Sequence, residues 1–132
     1  MKDKIRINPW EHKLYVQTNT SFFHDKLIDE LEKKYKKLEC KTYKNRYYKY
    51  KELQGDLDLL VIFYDDENEI ISMHLYEVKT RKKGKTSIIN KQLRRANKYL
   101  RYSYKFKGEI KFFFAYFKSL RKGIYNVEVI KL

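Results

Sequence analysis

The stretch 55–80, GDLDLLVIFYDDENEIISMHLYEVKT, decides the fold predicted for this chain. Two apolar runs, 57–64 and 70–78, flank the polar segment Asp65-Asp66-Glu67-Asn68. Apolar runs of this length, separated by turn-forming residues, predict the two strands of a β-hairpin. We therefore expect an antiparallel strand pair at the centre of the domain.

The predicted hairpin carries two acids and a lysine. Asp58 lies on the first strand, and Glu77 and Lys79 share one face of the second because strand side chains alternate. Carboxylate oxygens suit Mg²⁺ or Mn²⁺, and a nearby lysine can orient a water and offset phosphate charge. The arrangement suits hydrolysis of a phosphodiester bond.

An exposed cross-strand charge pair is the alternative interpretation of Glu77 and Lys79. The pattern Glu-x-Lys occurs five times in this lysine-rich chain. Of the other four, only Glu109/Lys111 also lies in a predicted strand, and none follows a strand that carries Gly-x-x-Asp. We therefore favour the functional interpretation of the pair in the hairpin.

Length and composition predict one domain, 1–132, with an N-terminal arm (1–20), a core (21–118) and a C-terminal strand (119–132). No apolar run approaches the ~18 residues that span a bilayer, so we expect no membrane segment. Cys40 is the only cysteine, which excludes an internal disulfide and any cysteine-based metal centre. We expect an intracellular, cytoplasmic protein in a reducing compartment.

The charge is segregated along the chain. Residues 56–77 hold seven acids and no Lys or Arg, whereas the other 110 residues hold 31 basic groups and ten acids. An acidic hairpin in a basic frame is the layout expected of a protein that binds a polyanion around a metal.

An amphipathic helix is predicted over 21–38. His24 falls within its apolar stripe, which also contains Leu27, Ile28, Leu31, Tyr35 and Leu38. His24 is either a core-edge histidine or a metal ligand beside the carboxylates, with Asp25 and Glu30 as substitutes.

The segment 42–53 is predicted to be the first strand of the sheet, near an edge. It interleaves four tyrosines with basic residues, among them Lys44, Arg46 and Lys49. These charges either discourage pairing at the sheet edge or contact phosphates, and both roles can hold together.

A basic loop and a second helix follow the hairpin. The loop contains Arg81, Lys82, Lys83 and Lys85; its Gly84-Lys85-Thr86 lacks the earlier glycine of a P-loop, so no nucleotide cofactor is expected. The helix, 87–104, places Gln92 at the core edge or the site. Its outward basic residues are Lys91, Arg94, Arg95 and Lys98, with Arg101. We expect these residues and the basic loop to hold the phosphates of a nucleic-acid strand by charge. Two more strands, 109–118 and 124–132, complete the chain.

This order of elements and motifs resembles the PD-(D/E)xK nuclease superfamily. The Gly-x-x-Asp motif of that superfamily corresponds here to Gly55-Asp56-Leu57-Asp58. Its Glu-x-Lys motif corresponds to Glu77-Val78-Lys79. The resemblance implies an α/β, restriction-endonuclease-like α-β-β-β-α-β core, with a small mixed sheet between two helices, plus the C-terminal strand.

The RecB-like branch of that superfamily carries a histidine on the first helix and a glutamine on the second, here His24 and Gln92. Ala96 replaces the tyrosine that usually follows the glutamine, with Tyr99 one turn later, and the cysteines of some members are absent. Holliday junction resolvases have a similar size and a similar Glu-Val-Lys strand, but carry a glutamate on the first helix.

The resemblance implies metal binding by Asp58, Glu77, His24 and the Val78 carbonyl, with Lys79 orienting the attacking water. Gln92 would hold the water, Lys79 or the phosphate. We predict an Mg²⁺- or Mn²⁺-dependent deoxyribonuclease, selective for branched or single-stranded DNA, in recombination, repair or a mobile element. A homodimer would suit junction cleavage. The alternatives are a non-catalytic nucleic-acid-binding module and a subunit of a larger DNA-processing assembly.

Overall fold

The computed structural model of the protein describes residues 2–6, 22–79, 86–121 and 124–132. The elements are β1 (Lys2–Arg6), α1 (Phe22–Lys33), β2 (Cys40–Tyr50), β3 (Leu53–Tyr64), β4 (Ile70–Lys79), α2 (Thr86–Ser103), β5 (Glu109–Arg121) and β6 (Ile124–Lys131). Within the described part of the chain, no helix is long and apolar enough to cross a membrane.

The six described strands form one mixed sheet in the order β1-β6-β5-β4-β3-β2. Among these described strands, only β4 and β5 pair in parallel, and α2 is the crossover that joins them. Apolar side chains of α1 pack on one face of the sheet and those of α2 on the other. The predicted α/β class, with a mixed sheet between two helices and β2 at an edge, is confirmed.

The central hairpin forms because both its turn and its strands favour it. The Asp65 carboxylate accepts hydrogen bonds from the backbone N–H groups of Glu67 and Glu69, both at 2.9 Å, and Asn68 adopts a positive φ of 63°. Asparagine tolerates that region better than most residues. In β3, Leu59 and Val61 face α1, while the intervening Leu60 and Ile62 face α2. Both faces of this strand are therefore buried.

The first helix is shorter than predicted. It ends at Lys33, and the chain continues in tight turns, such as those closed by Tyr35 N–H to Glu32 O and Leu38 N–H to Tyr35 O. These turns keep Tyr35 buried but leave Leu38 51% exposed, so the assignment of Leu38 to the core stripe was wrong.

The strands also differ from the prediction in places. Leu53 belongs to β3, because it pairs with Tyr50 across a two-residue turn in which Lys51 has a φ of 53°. β1 was not predicted, and it pairs antiparallel with β6. The rest of the predicted N-terminal arm, 7–20, lies outside the described residues.

A buried polar cluster on the α1 side of the sheet makes stability depend on pH. The Tyr35 hydroxyl is hydrogen-bonded to His74 Nδ1 at 3.0 Å and to the Tyr76 hydroxyl. Burial, with the nearby charges of Lys111 and Lys131, lowers the pKa of His74 below 6.5. The unfolded chain therefore takes up this proton first as the pH falls.

We predict that protonation of His74 lowers the free energy of unfolding as the pH falls from 7.5 to 5.5. His74→Phe should therefore gain stability relative to wild type as the pH falls over this range, because it removes the group whose protonation favours the unfolded chain. Urea unfolding at several pH values measures the effect. An unchanged pH dependence in the variant would contradict the assignment.

Candidate functional site

The central strands separate where the two acids lie. The β3–β4 pairing runs as far as Leu59–Tyr76, one residue short of Asp58 and Glu77. Beyond it, Asp58 Oδ2 accepts a hydrogen bond of 2.7 Å from the backbone N–H of Val78. A side-chain carboxylate thus takes the place of a strand carbonyl and is held in the gap between the strands.

A change of face in β3 gives Asp58 access to both helix layers. Leu57 packs with the α2 side of the sheet and Leu59 with the α1 side, although strict alternation would put them together. On β2, the pairing passes over Asn45, which has a positive φ of 50° and lies opposite Asp58. Irregularities of this kind re-aim side chains and are common beside functional sites.

His24 approaches Asp58 from α1. Its Nε2 atom lies 3.3 Å from Asp58 Oδ1, and its Nδ1 atom lies 3.7 Å from Asp25 Oδ1. The hydrogen bond to Asp58 raises the pKa of His24 and outweighs the opposing effect of burial. The structure places His24 beside the Asp58 carboxylate, a position that fits both predicted roles, the core-edge histidine and the metal ligand.

A polar cavity of about 200 Å³ opens at the strand gap. It brings the predicted residues Asp58, Glu77, Lys79 and Gln92 together. The other lining residues are Tyr48, Gly55, Asp56 and Arg95. Asp58 and Glu77 are only 9% and 8% exposed, so both carboxylates are largely withdrawn from bulk water.

Glu77 and Lys79 share a face, as predicted, and Lys79 Nζ lies 3.1 Å from Glu77 Oε1. Burial and the neighbouring charge of Asp58 raise the pKa of Glu77 to about 7. Lys79 and His24 act in the opposite direction, but their positive charge does not offset burial and repulsion. Two buried acids thus lie together and repel each other, although each has a basic side chain within 3.3 Å.

Asp58 and Glu77 offer the carboxylate oxygens that a hard divalent cation takes as ligands. His24 Nε2 lies 3.3 Å from Asp58 Oδ1, where it hydrogen-bonds this carboxylate. Among the described residues, no three His, Cys, Asp or Glu side chains form a ready-made metal-binding group. Mg²⁺ does not require one, because it commonly takes one or two carboxylates and keeps several waters.

Gln92 carries a buried side-chain acceptor beside this cavity. Its Oε1 atom is buried and has no hydrogen-bond partner among the described residues, and the side chain lines the cavity. An unpaired buried carbonyl costs about 1–3 kcal/mol.

Tyr48 was not predicted as a site residue. Its ring lies over Gly55, its partner across the β2–β3 pair, and stacks on Tyr99 of α2 with ring centroids 4.5 Å apart. The presence of glycine at position 55 in the Gly-x-x-Asp motif is thus explained by local packing, because a larger residue would leave no room for this ring. A glycine placed seven residues after a tyrosine, across a short hairpin, was the available sequence signal.

The predicted DNA-binding residues separate into three groups. Those on α2 are exposed: Lys91, Arg94, Arg95 and Lys98, of which Arg95 also lines the cavity. On β2, Lys49 is exposed and Arg46 lies over the Tyr43 ring, but Lys44 pairs with Asp29 and Glu32 of α1 at 3.0 and 3.4 Å. Lys44 does not join the others. The loop residues Arg81, Lys82, Lys83 and Lys85 lie outside the described residues.

Comparison with known proteins adds no assignment. No protein-family model matches the chain. No match is found among curated proteins either. The site is therefore interpreted from its own residues.

We predict that Gly55→Ala destabilises the protein. The added Cβ would lie 2.9 Å from the Tyr48 hydroxyl oxygen and 3.1 Å from the adjacent ring carbon, too close for either to stay in place. Crowding of this kind costs about 1–3 kcal/mol. Urea unfolding measures the loss.

A double-mutant cycle isolates the cause. In a Tyr48→Ala background, Gly55→Ala should be neutral or stabilising, because alanine is favoured over glycine in a strand once the ring is gone. An equal loss in both backgrounds would show that the ring is not the reason for the glycine.

Proposed function

We propose that this protein is an Mg²⁺- or Mn²⁺-dependent nuclease that hydrolyses DNA phosphodiester bonds. The observation that carries the proposal is the pair of buried carboxylates, Asp58 and Glu77, in one cavity with the Lys79 ammonium. Two carboxylates buried side by side repel each other and lose hydration, which raises the pKa of Glu77 to about 7, and a bound cation would relieve that cost.

In the proposal, Asp58 and Glu77 hold the ion with side-chain oxygens, assisted by His24 and the Val78 carbonyl. Val78 N–H holds the Asp58 carboxylate in position through Oδ2. A bound Mg²⁺ or Mn²⁺ would lower the pKa of a water and offset charge on the phosphate. His24 must be unprotonated to serve as a ligand.

Lys79 and Gln92 act on the attacking side. The Lys79 ammonium can donate a hydrogen bond to the attacking water and offset charge that develops on the phosphate. The free Oε1 of Gln92 can accept a hydrogen bond from that water or from Lys79, which fixes its direction. Arg95, at the edge of the cavity, is placed to bind a phosphate oxygen.

The proposed fold family is the PD-(D/E)xK nuclease superfamily, with its restriction-endonuclease-like core. It is supported by the order α1, β2 to β4, α2, β5, and by the acids on β3 and β4 that meet where these strands separate. Phosphate contacts through exposed lysines and arginines confer little sequence preference, so we propose selection of DNA by its structure. Recombination, repair or a mobile element are settings for such an activity.

We predict that wild-type protein cleaves labelled DNA with Mg²⁺ or Mn²⁺ and not with EDTA. Asp58→Asn and Lys79→Ala should each slow cleavage by about 100-fold or more, because they remove an ion-holding oxygen and the group that orients the water. Single-stranded, duplex, flap and four-way-junction DNA should be tested in parallel.

The matched control is Lys111→Ala, which removes the lysine of the other strand-borne Glu-x-Lys pair, 3.7 Å from Glu109. It should leave cleavage unchanged. If wild type binds these DNAs and cuts none of them, the protein is a non-catalytic binding module or needs a partner. Equal cleavage by wild type and both site variants would place the activity elsewhere.

A further inference from the structure

One exposed stripe of α2 is cationic along most of its length. Lys91, Arg95 and Lys98 follow each other at spacings of four and three residues, and Tyr102 comes four residues later. All four lie within about 60° on a helix and extend over roughly 16 Å. The helix, Thr86–Ser103, contains no acid. The stripe begins beside the cavity residue Gln92.

The charges of this stripe are not neutralised by neighbouring carboxylates. In the described part of the chain, no ion pair joins Lys91, Arg95 or Lys98 to an acid, whereas Lys44 on the other face is held by Asp29 and Glu32. Arg95 donates a hydrogen bond only to a backbone carbonyl, that of Gln54, at 3.4 Å. This surface therefore presents free cations to a polyanion.

The stripe ends on a supported aromatic ring. Tyr102 lies nearly parallel to Tyr50 of β2, with ring centroids 6.0 Å apart and planes at 12°. Tyr48 and Tyr99 stack in the same way between β2 and α2, nearer the cavity. Tyr102 is nevertheless 62% exposed. A ring that is held on one side and open on the other can stack on a flat aromatic ligand.

We propose that this stripe, Lys91-Arg95-Lys98-Tyr102, binds a single strand of DNA, with phosphates on the cations and an unpaired base stacked on Tyr102. Cations alone would suit duplex and single strands alike. The bases of a duplex are already stacked on each other, so only an unpaired base can use the open ring. This inference deepens the proposed function, since it names the form of DNA that would lead into the cavity.

The test is binding of fluorescently labelled DNA, measured by anisotropy in EDTA so that nothing is cleaved. The probes are a thymidine single strand, an abasic strand of equal length and charge, and a duplex. Tyr102→Ala should weaken binding of the thymidine strand about tenfold and leave the abasic strand unchanged, and Tyr102→Phe should retain affinity.

The matched control is Tyr47→Ala. Tyr47 is 64% exposed, but it lies on the opposite face of β2 from Tyr48. Its loss should leave binding unchanged. Lys98→Ala should weaken binding of both single strands and reduce the slope of log affinity against log salt by about 0.7.

The proposal is overturned if Tyr102→Ala binds the thymidine strand as well as wild type, or loses affinity equally for the abasic strand. Preference for the duplex would overturn it as well. The binding test requires no metal, so its outcomes can be interpreted even if the nuclease assay detects no cleavage. A selective loss in Tyr102→Ala combined with no cleavage would retain the stacking surface and reject the nuclease.

Discussion

The hydrogen bond from Val78 N–H to the Asp58 carboxylate is the contact on which the site depends. It stands where the β3–β4 pairing has ended, so it connects the two strands after their backbones have separated. Without a side-chain acceptor at this point, the Val78 N–H would be buried and unpaired. The same carboxylate that completes the sheet therefore also fixes one wall of the cavity.

A second constraint comes from charge. Burial and the charge of Asp58 raise the pKa of Glu77 to about 7, which means that the folded protein disfavours the ionised form of this acid. A cation in the cavity would relieve both the repulsion and the loss of hydration. The basic surface of α2 lies next to this acidic centre, so the two signs of charge are arranged by depth: acids inside, cations outside. This arrangement suits a ligand that is itself anionic and meets a metal at its point of reaction.

The hairpin and the grouping of Asp58, Glu77 and Lys79 could be predicted because alternation and turn residues act locally. The end of the first helix at Lys33 and the exposure of Leu38 could not be predicted. After Lys33 the chain forms turns, so its residues no longer follow the apolar stripe of the helix. β1 was missed because an edge strand of five residues has almost no periodic signal of its own.

Side-chain partners across the fold were also beyond the sequence. Lys44 looked like its basic neighbours, but an acidic face of α1 neutralises it. Tyr48 looked like one tyrosine among many, and its role follows from the glycine opposite and the Tyr99 ring behind it. The break in side-chain alternation at Asn45 and Asp58 decides which of these residues come into contact, and no short-range sequence pattern predicts it.

The central claim, that Asp58 and Glu77 together hold a divalent cation, is tested most directly by titrating the protein with Mn²⁺ and following the electron paramagnetic resonance signal of the free ion. We predict saturable binding to wild type, with the affinity lost in Glu77→Gln and in Asp58→Asn and kept in Glu109→Gln. Absence of binding to wild type, or equal binding to all four proteins, would contradict the claim.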